Sequence, residues 1–139
     1  MNRQAAEDAK RSEPDPELDE LARIVVDAAF EVHRILGPGY LESVYEEALA
    51  VELVMRRVAF ERQVPIALEY KGVPVGRGRL DVLVEDRLIV ELKAVEAFQP
   101  IHLAQLLSYL KATQRRLGIL VNFNVRWLRQ GLRRVIRPE

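Results

Sequence analysis

The stretch Gly78-Arg79-Leu80-Asp81-Val82-Leu83-Val84-Glu85-Asp86-Arg87-Leu88-Ile89-Val90-Glu91-Leu92-Lys93 decides how this chain is read. It reads as two apolar strands joined by a short charged turn. With Glu85, Asp86 and Arg87 as the turn, Val84 pairs with Leu88, Leu83 with Ile89, Asp81 with Glu91, and Arg79 with Lys93. Strand side chains alternate faces, so Asp81, Glu91 and Lys93 project from one face. A one-residue slip would part the two acids. Paired carboxylates repel, and stability alone gains little from them. A hard cation such as Mg²⁺ removes the repulsion. A lysine beside it can hold or deprotonate a water and steady the charge of a phosphate. The competing reading is a solvent-facing hairpin with one cross-strand ion pair, since short D…ExK patterns arise by chance.

The length of 139 residues fits one domain with its own core. An apolar fraction of 49% and a charged fraction of 30% are those of an ordinary globular protein. There is no cysteine, which excludes disulfides, zinc–thiolate sites and iron–sulfur clusters. His33 and His102 are the only imidazoles, so a histidine-rich metal site is not expected. No apolar run has membrane-spanning length and no hydrophobic signal segment opens the chain, so the expected setting is cytoplasmic, without a membrane. The net charge is zero but uneven: residues 100–139 carry eight bases against Glu139 alone. Such a tail suits a polyanion, or is simply a solvated face.

Outward from the hairpin, residues 1–16 are acidic and contain Pro14 and Pro16. They read as a disordered tail before a single domain over 17–139. From Leu18 an apolar pattern of helical spacing runs through Leu21, Ile24, Val25, Ala28, Val32 and Ile35. Gly37-Pro38-Gly39 ends it. His33, at the edge of that stripe, reads as a packed or surface histidine. A second helix spans about Tyr40 to Arg57, with Leu41, Val44, Tyr45, Ala48 and Leu49 as its buried stripe. Glu42 lies in its first turn, where the helix dipole favours a carboxylate. Phe60 to Tyr70 is one long strand or two short ones, with Pro65 marking an edge or a bend. Pro100 opens a third helix with Ile101, Ala104, Leu107 and Leu110 along one side. His102, Gln105 and Tyr109 share a neighbouring face. Leu117 to Phe123 is a strand, and Trp127 to Ile136 is an amphipathic tail with a turn or short helix and a final strand. The expected class is α+β, a central mixed sheet flanked by helices in the order α-α-β-β-β-α-β.

Five segments carry a family resemblance. Gly39-Tyr40-Leu41-Glu42-Ser43-Val44-Tyr45 matches the signature of the GxxExxY proteins, a branch of the PD-(D/E)XK nuclease superfamily. Glu31 to Gly39, Val90 to Val95, Ala104 to Leu110 and Val121 to Val125 also resemble that family, over about residues 18 to 136. Gln114 departs from the pattern, standing where a Gly is expected after Thr113. The resemblance implies a restriction endonuclease-like core. It implies Asp81 and Glu91 as metal ligands for Mg²⁺ (or Mn²⁺), Glu42 as a helical acid that helps hold the metal or its water, and Lys93 as the catalytic lysine. Gln105 and Tyr109 resemble the Q-x-x-x-Y helix motif of RecB-like exonucleases, which steadies the site and the substrate end.

The function expected on these grounds is a Mg²⁺-dependent nuclease hydrolysing phosphodiester bonds, with DNA favoured over RNA as partner and a homodimer left open. The alternatives are a nucleic-acid-binding or protein-interaction module that keeps the fold without turnover, and a purely structural protein. The latter leaves the paired carboxylates unexplained.

Overall fold

The computed structural model describes residues 14–138. Most of the acidic tail expected over 1–16 lies outside the described residues. Its end belongs to the fold instead: Asp15 caps the first helix, its Oδ1 accepting the Leu18 N–H at 2.9 Å. Helix α1 covers Pro16–Leu36, with proline in the first turn, where its missing N–H has no helical partner to lose.

After α1 come α2 (Glu42–Met55), β1 (Phe60–Tyr70), β2 (Val73–Val84), β3 (Leu88–Lys93), α3 (Pro100–Thr113), β4 (Leu117–Asn122) and β5 (Leu132–Ile136), with a short 3-10 turn at Leu128–Gly131. The order is the expected one, followed by the short helical turn and final strand expected within Trp127 to Ile136. The sheet runs β1-β2-β3-β4-β5. Its β3–β4 pair is parallel and the others antiparallel, as the α3 crossover between β3 and β4 requires. Pro65 sits in β1, the edge strand, where its missing N–H breaks no ladder.

Two cores lie on opposite faces of the sheet. The larger joins α1 and α2 to Val82, Val84, Leu88, Val90 and Leu92. The smaller joins Leu106 and Leu110 of α3 to Leu80, Leu83, Ile89 and Leu120. Of the expected helical stripes, Leu18, Val25, Ala28, Val32, Tyr45, Leu49 and Leu110 are buried, but other positions differ. Ala22 and Ala29 are buried in α1 while Ile35 is 63% exposed. Leu41 and Val44 are exposed at the start of α2, and Ile101 at the start of α3. Each lies in a terminal turn that overhangs the sheet, so helical periodicity continues where nothing covers it.

Gln114 ends α3 in the left-handed region, at φ 55°. That geometry accounts for the family's glycine at this place, and the side chain here is tolerated at the cost of some strain. In β1, Gln63 is also left-handed, at φ 52°. Around it the strand pair changes faces: Val64 and Leu80 join the smaller core, Phe60 and Val82 the larger. Asp81 sits at this switch.

Candidate active site

The hairpin adopts the register read from the sequence, with Val82↔Val90, Leu83↔Ile89 and Val84↔Leu88. Glu85 and Asp86 both take positive φ and form the turn with Arg87, whose N–H bonds the Val84 carbonyl at 3.0 Å. The backbone ladder ends at Val82 and Val90, and side chains take over. The Asp81 carboxylate accepts the Leu92 N–H at 2.8 Å, and Glu91 lies 3.4 Å from the Asp81 N–H. Two acids thus replace backbone partners where β2 and β3 part.

Glu91 is only 4% exposed. Burial, then the charge of Asp81 beside it, then a hydrogen bond between the two carboxyls, push its pKa up to about 9. The Lys93 ammonium pulls the other way, which places it within electrostatic reach of Glu91. Asp81, Glu91 and Lys93 are therefore one electrostatic group.

Glu42 is the first residue of α2. It lines a cleft of about 220 Å³ together with Ser43, Glu46, Gln63, Arg79, Asp81 and Leu92. The turn before it is held by Tyr45, whose hydroxyl donates to the Gly37 carbonyl at 2.6 Å and accepts the Tyr40 N–H at 3.2 Å. Gly39 takes φ 110° in that turn, which an L side chain rarely adopts. Tyr45 also stacks on Phe123, centroids 4.5 Å apart, and the Phe123 N–H bonds the Lys93 carbonyl at 3.0 Å. One aromatic residue thus ties the Glu42 end of α2 to the Lys93 end of β3. Glu46, a third acid of the cleft beside Glu42 and Asp81, is held by Arg62 at 2.8 Å and by Gln63.

Gln105 and Tyr109 lie elsewhere than beside Glu42. Tyr109 packs against the smaller core on the α3 face and close over Gly78, where an added Cβ would meet its ring at 2.8 Å. Gln105 is exposed on α3, and neither residue lines the cleft. Glu91 and Lys93 share the strand alternation of Ile89, so they point towards the α3 side, with Asp81 between the two faces. His102 is accounted for locally: its Nδ1 accepts the Gln99 N–H at 3.0 Å at the start of α3.

Three residues outside the candidate site residues read from the sequence support the site. Asn122 is 2% exposed and pairs in register with Lys93. Its amide bonds both the N–H and the carbonyl of Val95, at 3.0 and 2.8 Å, which fixes the chain just beyond Lys93. His33 Nε2 lies 2.7 Å from the Val125 carbonyl and steadies the next loop. Tyr45 is the third. A polar residue closing an otherwise apolar strand was the available signal for Asn122.

Asp81 and Glu91 offer the hard oxygen donors that Mg²⁺ and Mn²⁺ take, and a buried carboxyl beside a second one calls for a proton or a cation. The residues therefore fit such an ion. Among the described residues no three of His, Cys, Asp and Glu cluster closely enough to hold one together. The two carboxylates would bind it with water and substrate oxygens, the usual manner of Mg²⁺, and Glu42 stands further off as a cleft acid.

A family model described as the PD-(D/E)XK nuclease superfamily matches residues 19–135. The chain belongs to the PD-(D/E)XK nuclease superfamily. The match spans both core faces, the hairpin and the cleft of this superfamily member. No curated protein matches the chain. Among the described residues, no helix is long and apolar enough to cross a membrane.

Proposed function

We propose that this PD-(D/E)XK protein is a divalent-metal-dependent nuclease that hydrolyses phosphodiester bonds, with DNA as the favoured substrate. The supporting observation is the carboxyl pair formed by half-buried Asp81 and buried Glu91, with Lys93 in electrostatic reach. Asp81 and Glu91 would hold Mg²⁺ or Mn²⁺. When bound, the ion supplies Lewis acidity towards a phosphoryl oxygen and lowers the pKa of a water. Lys93 positions the attacking water and offsets charge gathering on the phosphate oxygens. Glu42, which lines the cleft with Asp81, would help orient the attacking water. Asp81 is itself oriented by the Leu92 N–H, which its carboxylate accepts at 2.8 Å. The cytoplasm, where nucleic acid is abundant, is the setting this reading implies.

Gln105 and Tyr109 enter the proposal as residues on the α3 side, where Glu91 and Lys93 point. Their place in an exonuclease-like arrangement rests on the motif resemblance.

The test is cleavage of labelled single- and double-stranded oligonucleotides with and without Mg²⁺ or Mn²⁺. Wild type is expected to cleave only with the ion. Lys93→Ala is expected to lose about 10²–10⁴ in rate, the usual effect of removing one acid–base or charge-stabilising group. A Lys93→Ala variant that cleaves at the wild-type rate contradicts the assignment.

A further inference from the structure

A second concavity, of about 670 Å³, is lined in part by Gly37 and Pro38, in the turn between α1 and α2. That is within the size range of ligand sites. Phe30, Pro38, Trp127 and Leu128 give it apolar walls, and Arg34, Arg126 and Arg129 give it a cationic rim. None of its lining residues is acidic. Trp127 is 55% exposed and Phe30 42%, large aromatic surfaces for a protein to leave in water. The Arg126 guanidinium lies 5.0 Å from the centre of the Trp127 ring, so plane and cation already form a stack open to extension. Arg34 is partly neutralised by Glu31 at 2.6 Å, which leaves Arg126 and Arg129 as the principal charges.

The groove is built. His33 fixes the Val125 carbonyl immediately before Arg126 and Trp127. Leu128 is 2% exposed and anchors the following turn in the larger core. Gly37, whose carbonyl takes the Tyr45 hydroxyl, forms part of its wall. The turn that positions Glu42 in the cleft therefore also bounds the groove.

We infer that this groove holds an unpaired stretch of a nucleic acid strand, with a base on Trp127 and phosphates against Arg126 and Arg129. Exposed aromatic faces next to arginines are the combination that binds single strands: every base offers a π-face and every linkage a negative charge. A duplex keeps its bases stacked away from such a platform. A second copy of this chain is disfavoured by charge, because it would set Arg126 and Arg129 against their own counterparts. The inference rests on the nuclease reading for the class of ligand, and it adds a site apart from the cleft that selects for an unpaired strand.

Trp127 is the only tryptophan of the chain, so its fluorescence reports on the groove alone. The full chain, in EDTA to prevent cleavage, is titrated with a short single-stranded DNA, the same sequence as a blunt duplex, and a free deoxynucleoside monophosphate. Saturable quenching is expected from the single strand, weakening as salt rises. The duplex and the mononucleotide are expected to quench far less. With a labelled single strand followed by anisotropy, Trp127→Ala and Arg129→Ala are each expected to weaken binding about fivefold or more, and Trp127→Phe to retain most of it. Equal quenching by duplex or mononucleotide, or unchanged affinity in Trp127→Ala, overturns the inference. So does an emission change that follows protein concentration alone, which would put a second copy in the groove. Metal-dependent cleavage by a protein whose emission ignores single strands removes the groove and leaves the proposed chemistry standing. Quenching without any cleavage supports the groove and counts against the chemistry.

Discussion

Glu91 sets the expected pH behaviour of the metal-free protein. Its carboxyl titrates near 9 when folded, against an ordinary value of 4.5, because it is buried beside Asp81. The folded state therefore holds this proton more tightly than the unfolded chain does. The stability this contributes is fully present below about pH 4.5, declines as pH rises, and is gone above about pH 9. Glu91→Gln keeps the neutral shape without the titration. Thermal melts of the metal-free protein across that window are expected to show wild type losing stability and the variant much less. At pH 8 the variant should be more stable by about 1 kcal/mol or more, the worth of a single pKa unit. Identical pH dependence in the two proteins would contradict the burial account. Tyr45 offers a second test at this scale. Tyr45→Phe removes the bonds to Gly37 and Tyr40, and leaving such groups unpaired typically costs about 1–3 kcal/mol. Chemical denaturation should show that loss, and cleavage should fall with it as the Glu42 turn loosens. Full activity in Tyr45→Phe would mean that the turn does not position the cleft.

The elements around the site meet by close backbone approach as well as by side-chain packing. Gly131 shows this most sharply: a Cβ there would lie 2.1 Å from the Asn122 carbonyl oxygen. Gly131→Ala must push the 3-10 turn off β4 and disturb the Asn122 clamp on Val95. A loss of about 1–3 kcal/mol or more is expected, with reduced cleavage, and calorimetric melting checks it. A neutral Gly131→Ala would require a different packing of that turn. The hairpin was readable because its alternation and its turn agreed on one register. The stripe of α3 was readable only in part: Leu110 is buried as expected, but Ile101 and Ala104 are exposed while Leu103 and Leu106 pack on the sheet, and only the sheet decides which side is covered. Gln63 is similar. Nothing in Arg62-Gln63-Val64 announces a left-handed residue, yet it marks where the strand pair changes faces. For that reason the parity argument located Asp81 next to Glu91 but could not give its intermediate position between the two sides of the sheet.

At the scale of the whole molecule, charge was the least legible feature. The basic C-terminal stretch read as a surface for a polyanion or as a solvated face, but folding uses much of it. Arg134 pairs with Asp19, Arg115 with Asp86 at 2.7 Å, Arg137 bonds the Arg115 carbonyl at 2.8 Å, and Arg133 lies over the Phe98 ring. These contacts join distant segments, so no local pattern could reveal them. The order of elements, by contrast, followed from local periodicity and turn residues. The central claim remains that the carboxyl pair at the fork of β2 and β3 is a cation site. Calorimetric titration of the metal-free protein with Mn²⁺ at pH 8 tests it most directly. The account predicts saturable binding with proton release as the ion displaces the Glu91 proton, nearly unchanged stoichiometry in Lys93→Ala, and loss of binding in Asp81→Asn. No heat of binding in the wild type, or an Asp81→Asn variant that binds Mn²⁺ as well as wild type, would contradict it.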